Sequence, residues 1–404
     1  MTVSTTRRGL LAAAAGLGLS IGLMGRAHAE GDLAKKKLIV VVARGGMDGL
    51  SVAPPVGDAD YEGLRRSIAV SPDAALKLDG TFGLHPSLAG VHGLALKGQA
   101  RIAPAVASPD RQRSHFEAQD VLESGGAVAY GAQSGFLNRT LAATNGRPVK
   151  ALSVGATAPL ILRGKVSTGS WSPGLGAGNS PRLPAILGDL YAGDPLLGPA
   201  LARGLEIEGM AATAKEAVDK PGMGREMDSG GAGTRQGRVI ARNTGQTVAG
   251  FMRQPNGPQI VAVSVDGWDT HANAAPQMTN RLLYLDALLM GLHDGLGDDW
   301  KDTVVVVATE FGRTARVNGT NGTDHGTAST ALLLGGALKS GGIVGDWPTL
   351  KPGALFENRD TAPATDLRAV FKGVLADHMG VDRRALDEAV FPGSAGVKAV
   401  SGIV

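Results

Sequence analysis

The sequence predicts an α/β fold, with a mostly parallel central sheet between helix layers, on three observations. Leu38-Ile39-Val40-Val41-Val42-Ala43, residues 260–265 and residues 303–308 are continuous apolar runs rich in β-branched residues, the pattern of strands buried on both faces. Between the last two runs, Leu282, Leu283, Leu285, Leu288, Leu289 and Leu292 recur at helical spacing, which makes a strand–helix–strand unit of crossover length. Each run stops at a polar cluster: Arg44-Gly45-Gly46-Met47-Asp48-Gly49-Leu50-Ser51, Asp266-Gly267-Trp268-Asp269-Thr270-His271 and Thr309-Glu310-Phe311-Gly312-Arg313. Ligands in this architecture sit off the carboxyl ends of the strands, so these clusters mark the expected site.

The 404 residues include 60 Gly and 21 Pro without a three-residue period, which excludes a collagen-like chain. With 43 % hydrophobic residues the chain can bury a large core, and disorder is excluded for most of it. Residues 1–29 have the order of an export signal: Arg7-Arg8, an apolar run from Leu10 to Met24, then Ala27-His28-Ala29 before Glu30. The adjacent arginines favour the twin-arginine route, which makes that export machinery an expected partner and the periplasm or the exterior the expected location. The apolar run is shorter than the ~20 residues that span a bilayer, so no stable membrane insertion is expected after cleavage. Without Arg7, Arg8 and Arg26 the chain carries 37 basic and 37 acidic residues, a balance that gives no reason for a nucleic-acid partner. Cysteine is absent, which excludes disulfides, iron–sulfur clusters, thiolate metal sites and a cysteine nucleophile.

Residues 30–404 are expected to form one domain. Residues 151–154 form a short strand, Ser172-Pro173-Gly174 lies in irregular sequence, and a helix is expected near residues 183–191. Residues 211–246 are polar and Gly-rich, the composition of a mobile surface loop or lid next to helix. Residues 366–379 form an amphipathic closing helix.

Seven histidines follow the signal, and four stand in distinctive polar contexts: His85, His115, His271 and His325. Asp324-His325 lies in a flexible loop after the strand that ends near Glu310, and Asp269-Thr270-His271 repeats the pair at another strand end. Carboxylate oxygen and neutral imidazole nitrogen are both good zinc or manganese ligands. With Asp48 on a third strand end, these residues supply five or six ligands to one crevice, a number that suits two divalent ions about 4 Å apart; a hydrogen-bond network at loop starts explains them equally. Ser114 and Glu117 have capping-box spacing. A hydroxyl at a helix amino end is also placed to act as a nucleophile, with Arg111 or Arg113 clamping an oxyanion and His115 serving as ligand or acid/base. Glu310 and Arg313 are a metal ligand and an anion clamp, or a buried ion pair. His85, in Leu84-His85-Pro86, fits a structural role before a helix start.

Gly45-Gly46-Met47-Asp48-Gly49-Leu50, Leu84-His85-Pro86, Arg113-Ser114-His115-Phe116-Glu117-Ala118-Gln119, Gly267-Trp268-Asp269-Thr270-His271, Thr309-Glu310-Phe311-Gly312-Arg313-Thr314 and Thr323-Asp324-His325-Gly326 together resemble, in this order, the bacterial family of unknown function numbered 1501. The resemblance covers essentially all of residues 36–400. It implies a twin-arginine-exported member of the alkaline phosphatase-like superfamily, which includes phosphatases, phosphodiesterases, sulfatases and cofactor-independent phosphoglycerate mutases. It further implies an early-strand ligand at Asp48, a hydroxyl nucleophile at Ser114, and later ligands at Asp269, His271, Asp324 and His325. The superfamily often supplies another His after the Asp-His pair; only His378 follows here, so the second metal shell is incomplete or is completed by His115. A formylglycine sulfatase fits poorly, because Ala107-Ser108-Pro109-Asp110-Arg111 lacks the required spacing.

The resulting expectation is a periplasmic hydrolase of phosphate or related anionic esters that uses one or two zinc or manganese ions. Its metal ligands would be Asp48, Asp269, His271, Glu310, Asp324 and His325, and its catalytic groups Ser114, His115, Arg113 and Arg313. The alternative is a non-catalytic periplasmic binding or assembly protein that keeps the fold.

Overall fold

A computed structural model describes residues 33, 35–144, 149–155, 158–173, 183–195, 197–216 and 232–404. The signal segment therefore lies outside the described residues. Ten strands occur among those described: β1 (Lys37–Ala43), β2 (Leu76–Lys77), β3 (Gly83–Leu84), β4 (Ala100–Ala107), β5 (Ala151–Val154), β6 (Gly169–Trp171), β7 (Ile260–Val265), β8 (Thr303–Ala308), β9 (Ser329–Leu334) and β10 (Thr365–Asp366). Eight form one sheet in the order β10-β4-β9-β8-β1-β7-β5-β6. Every neighbouring pair is parallel except the two made by β9. The mostly parallel α/β fold expected from the sequence is the one observed.

The three predicted strands are the centre of this sheet, with β1 between β8 and β7. Their residues alternate between two cores. Ile39, Val41, Val263, Val265, Val305 and Val307 face one, while Leu38, Val40, Val42, Ile260, Val304 and Val306 face the other. A strand with both faces buried needs apolar side chains at consecutive positions, which is why these stretches read as runs.

The first face is covered by helices Ala274–Leu296 and Arg235–Arg253. Of the leucines that predicted the former, Leu282, Leu285, Leu288, Leu289 and Leu292 are buried, and Leu283 is half-buried at the margin of the stripe. The two helices meet at Gly245 and Gly291. A Cβ on Gly245 would lie 2.3 Å from the Leu288 carbonyl oxygen, and one on Gly291 would lie 2.2 Å from that of Arg242, so this crossing admits only hydrogen at both positions. The opposite face is covered by helices Phe136–Ala143 and Leu367–Asp377. The latter, expected as the closing helix, is capped by Asp366, whose carboxylate accepts from the Arg368 N–H at 2.8 Å.

Residues 211–216 end helix Leu197–Glu216 and residues 235–246 begin helix Arg235–Arg253. Much of the predicted Gly-rich loop is therefore helical. Thr234 starts the second helix by accepting from the Gly237 N–H at 3.0 Å, and its apolar stripe packs on the core, which outweighs the polar composition. Residues 217–231 lie outside those described. Among the described residues no helix is long and apolar enough to cross a membrane.

His378 is buried, and its Nε2–H donates to the Lys37 carbonyl at 3.0 Å. That bond ties the closing helix to the start of β1, the end of the strand opposite the polar clusters, so His378 supplies no ligand to them. Burial pushes its imidazole down to about 4. The folded chain thus binds this proton more weakly than the unfolded chain, and the associated stability is complete above pH 6.5 and is lost as the pH falls towards 4. Replacing His378 with Gln should reduce the acid-side loss between those pH values by up to about 3 kcal/mol. Chemical denaturation of both proteins across that range measures the difference, with buried His85, also near 4, leaving a residual slope in the variant.

Candidate metal centre

The polar clusters converge at the carboxyl ends of β8, β1 and β7. Gly45 ends β1 with φ +118°, and a Cβ there would lie 2.7 Å from the Asp269 backbone nitrogen. Glycine is therefore what lets the turn after β7 close onto β1 and bring Asp269 inward. The segment after β8 folds back on itself. The Gly326 N–H donates to Gly312 at 2.8 Å and the Thr314 N–H to Asp324 at 2.9 Å, which sets His325 opposite Arg313. His115 arrives from a third direction, at the first position of helix His115–Ser124.

Three imidazoles meet the Asp269 carboxylate. Nε2 of His271 lies 3.0 Å and Nε2 of His325 lies 3.1 Å from Asp269 Oδ1, while Nε2 of His115 lies 3.5 Å from Oδ2. The ligand atoms of His115, Asp269 and His325 all lie within 4.8 Å of one another. Each ring is held from behind by an acceptor at Nδ1: Glu310 for His115 at 2.8 Å, the Arg113 carbonyl for His325 at 2.8 Å, and Asp324 for His271 at 3.2 Å. A carboxylate or carbonyl only accepts, so every Nδ1 carries its proton and every neutral ring turns an Nε2 lone pair inward.

This donor set fits a divalent ion. The His115 Nε2 is buried and has no hydrogen-bond partner, and the Nε2 atoms of His271 and His325 are 3.1 Å apart. Lone pairs facing one another and a carboxylate at that range repel unless a proton or a cation lies among them. Histidine nitrogens with an oriented outer acceptor, together with one carboxylate, are a common ligand set for zinc and related ions.

The ionisation of the groups follows from their partners. The Glu310 bond raises the His115 pKa, against burial, with Asp269 adding to the rise. Burial alone would raise Asp269, but its bond from Arg313 and the nearby imidazoles hold the carboxyl below its usual range. His325 is lowered by burial and by the charges of His115 and Arg313. Asp324 stays low despite burial, through its bonds with Asn318 and His271.

The other predicted site residues have different placements. Asp48 is not in the cluster: it is buried, accepts from the Leu50 N–H at 3.2 Å and the Ser51 hydroxyl at 2.7 Å, and pairs with buried Arg65. Glu310 is fully buried behind His115, where it also accepts from the Gly45 N–H at 2.8 Å and the Thr309 hydroxyl at 2.9 Å, so it orients a ligand instead of facing the centre. Asp324 stands behind His271 in the same way. Arg313 is buried and directs its donors to Asp269 at 2.7 Å, to the Thr323 hydroxyl at 3.2 Å and to the Thr323 carbonyl. Arg113 donates to Asp360 at 2.9 Å and also pairs with Glu357. Both guanidiniums are occupied by the protein's own acceptors, so neither is an open anion clamp. Ser114 occupies the helix N-cap position, but its hydroxyl donates to the Glu117 carboxylate instead of accepting a backbone N–H. His85 accepts from the Ser87 N–H at 3.1 Å, in keeping with a structural role.

Two supporting residues carried no signal in the sequence. Asp360, buried in an irregular stretch, joins Arg113 to the Thr327 hydroxyl at 2.9 Å. Asn318 holds Asp324 from a turn, at 3.2 Å.

The fold and the cluster define an α/β protein with a His/Asp metal-type centre at the ends of parallel strands. The chain belongs to the family described as Protein of unknown function (DUF1501), whose model matches residues 77–390. It is also similar to three solved structures. The lipoteichoic acid synthase LtaP from Listeria monocytogenes is 9 % identical with a TM-score of 0.42, over 89 % of this chain and 76 % of that one. The C-terminal periplasmic domain of EcEptC from Escherichia coli, in complex with Zn, is 11 % identical with a TM-score of 0.34, over 74 % and 73 %. The alkaline phosphatase from the Antarctic bacterium TAB5 is 12 % identical with a TM-score of 0.38, over 76 % and 94 %. No curated protein sequence matches the chain.

Two substitutions separate support from ligation. Asp48→Ala leaves Arg65 buried and unpaired and should destabilise the fold by about 3–5 kcal/mol, while the folded fraction keeps the bound metal of the wild type; thermal melts with elemental analysis measure both. Glu310→Gln should leave the fold intact and weaken zinc binding about 10–100-fold by loosening His115, as read by competition with a chromophoric chelator.

Proposed function

We propose that this protein is an exported, metal-dependent hydrolase of phosphate or related anionic esters, acting in the periplasm or outside the cell. The observation that carries the reading is the convergence of three oriented imidazoles on Asp269 at the carboxyl ends of the parallel strands. His115, Asp269 and His325 would hold one zinc or manganese ion, with His271 beside them. An ion bound there supplies Lewis-acid charge to the non-bridging oxygens of the ester.

In this reading the chain's own groups carry out the displacement. Ser114 stands next to His115 at the amino end of a ten-residue helix, where the backbone dipole favours an anion. Its hydroxyl already donates to Glu117, so the carboxylate is placed to receive the proton as Oγ attacks phosphorus. The Oγ–P bond forms while the ester P–O bond breaks, and the departing alkoxide takes a proton from water. A second water then releases inorganic phosphate from Ser114 and returns the hydroxyl. Glu310, Asp324 and the Arg113 carbonyl keep the three imidazoles in register throughout.

The occupied guanidiniums favour a second reading, a binding or assembly protein that retains the centre. Arg113 and Arg313, the cations the sequence offered to an anionic substrate, are held by Asp360, Glu357 and Asp269. Turnover separates the two. Protein purified without chelator should carry one equivalent of zinc or manganese and hydrolyse aryl phosphates, and Ser114→Ala should lower kcat about a thousandfold or more with the metal retained. Undiminished turnover in Ser114→Ala would remove the nucleophile role. Absence of turnover from metal-loaded wild type against mono- and diesters would favour the binding protein.

A further inference from the structure

Helix His115–Ser124 and the turn after it expose three large apolar side chains beside the centre. Phe116 is 80 % exposed, Tyr130 66 % and Val128 65 %. Phe116 follows His115 directly, so its Cα is one residue from a ring whose Nε2 faces Asp269. Asp120 lies four residues beyond Phe116 and so shares its helix face. Its carboxylate accepts from the Tyr130 N–H at 2.6 Å, which brings Tyr130 onto the same face. The Gly131 N–H donates to the Val128 carbonyl at 3.3 Å, a turn that keeps Val128 beside Tyr130.

Such exposure calls for an occupant. An apolar group left in water contributes none of the stabilisation that burial would bring, and clustered exposed apolar side chains mark binding surfaces. Continuity with the metal centre says what covers this one. His115, Ser114 and Phe116 are consecutive, so a molecule whose anionic group lies at the cluster carries its organic part across the Phe116 face. Two aromatic side chains on one face offer flat rings, which prefer to stack on or meet the edge of another ring.

We infer, taking the His115–Asp269–His325 cluster as the place where an anionic ester is held, that Phe116 and Tyr130 form a platform for an aromatic group of that ester. Val128 closes the platform's outer side. The substrate class is then an aryl or similarly flat-ringed phosphate ester, and the platform selects it over small alkyl esters. Neither residue touches the reacting atoms, so both act in specificity.

The test compares a matched pair of probes on the full chain with its metal retained. Phenylphosphonate and methylphosphonate are titrated by calorimetry, and phenyl phosphate and methyl phosphate are assayed for turnover. Wild type should prefer the phenyl member at least tenfold in both measurements. Phe116→Ser and Tyr130→Ser should each lower that ratio about three- to tenfold, and Phe116→Trp should restore it. Because the side chains are exposed, melting temperatures should stay within a few degrees of wild type, and the two positions test the platform independently. A wild-type ratio near one, or a ratio unchanged in both Ser variants, overturns the platform whatever the turnover. Absent turnover with the phosphonate preference intact and lost in the variants supports the platform and overturns the hydrolase reading alone. Binding of neither phosphonate overturns both. A wild-type dimer that Phe116→Ser makes monomeric assigns the face to a second copy of the chain and overturns the platform.

Discussion

The Asp269 carboxylate is the point on which the site depends. It faces three imidazole nitrogens, accepts from Arg313, and belongs to a turn that reaches the crevice only because Gly45 leaves room for its backbone. The outer groups are arranged with respect to it. Glu310, Asp324 and the Arg113 carbonyl each fix one imidazole so that its Nε2 points at Asp269. A carboxylate in this position would normally become harder to ionise on burial, and the Arg313 contact reverses that direction. Arg313 thus keeps the anion charged without itself reaching a substrate.

The sheet makes the convergence possible. β1 is hydrogen-bonded on both sides, to β8 and β7, and contributes to both cores, so its position is fixed in every direction. The loops that leave these strands begin from a rigid row, and short connections then suffice to bring Gly45, Asp269 and Glu310 together. Rigid elements hold ligating groups more closely than loops alone can. His325 is the exception, since it comes from the long β8–β9 connection. That segment gains its order from the bonds of Gly326 to Gly312 and Thr314 to Asp324, and from Asn318 to the His271 carbonyl at 2.9 Å.

What the sequence disclosed follows from which interactions are periodic. The central strands and the crossover helix were legible because burial on two faces, or on one stripe, imposes a pattern on consecutive residues. The residues of the cluster were legible too, since Asp269, His271 and His325 stand just beyond such elements in short polar stretches. Their division of labour was not. Whether a carboxylate faces the centre or stands behind a histidine depends on side-chain direction, and nothing in Thr309-Glu310-Phe311 distinguishes the two. Asp48 looked like a ligand because it ends β1 in a polar turn. Its neutralising partner, Arg65, is seventeen residues further on in a short helix with no spacing that links the two. The polar composition of residues 211–246 concealed a helix for a similar reason, because propensity is a weak signal beside a packed apolar face.

The charge of the crevice bears on how many ions it suits. Asp269, Glu310 and Asp324 bring three negative charges around the imidazoles, and Arg313 returns one positive charge. Arg113 does not alter this balance, because Asp360 and Glu357 already neutralise it. With the three imidazoles neutral, as their Nδ1 bonds require, two negative charges remain in a partly enclosed space. One divalent ion cancels them, whereas two would leave a positive excess that an anionic substrate would have to balance. Asp48 would have supported a second ion, but its charge is paired with Arg65. The sequence therefore offered ligands for two ions, while the folded chain, by turning Asp48 inward and placing Glu310 and Asp324 behind histidines, arranges charge and lone pairs for one.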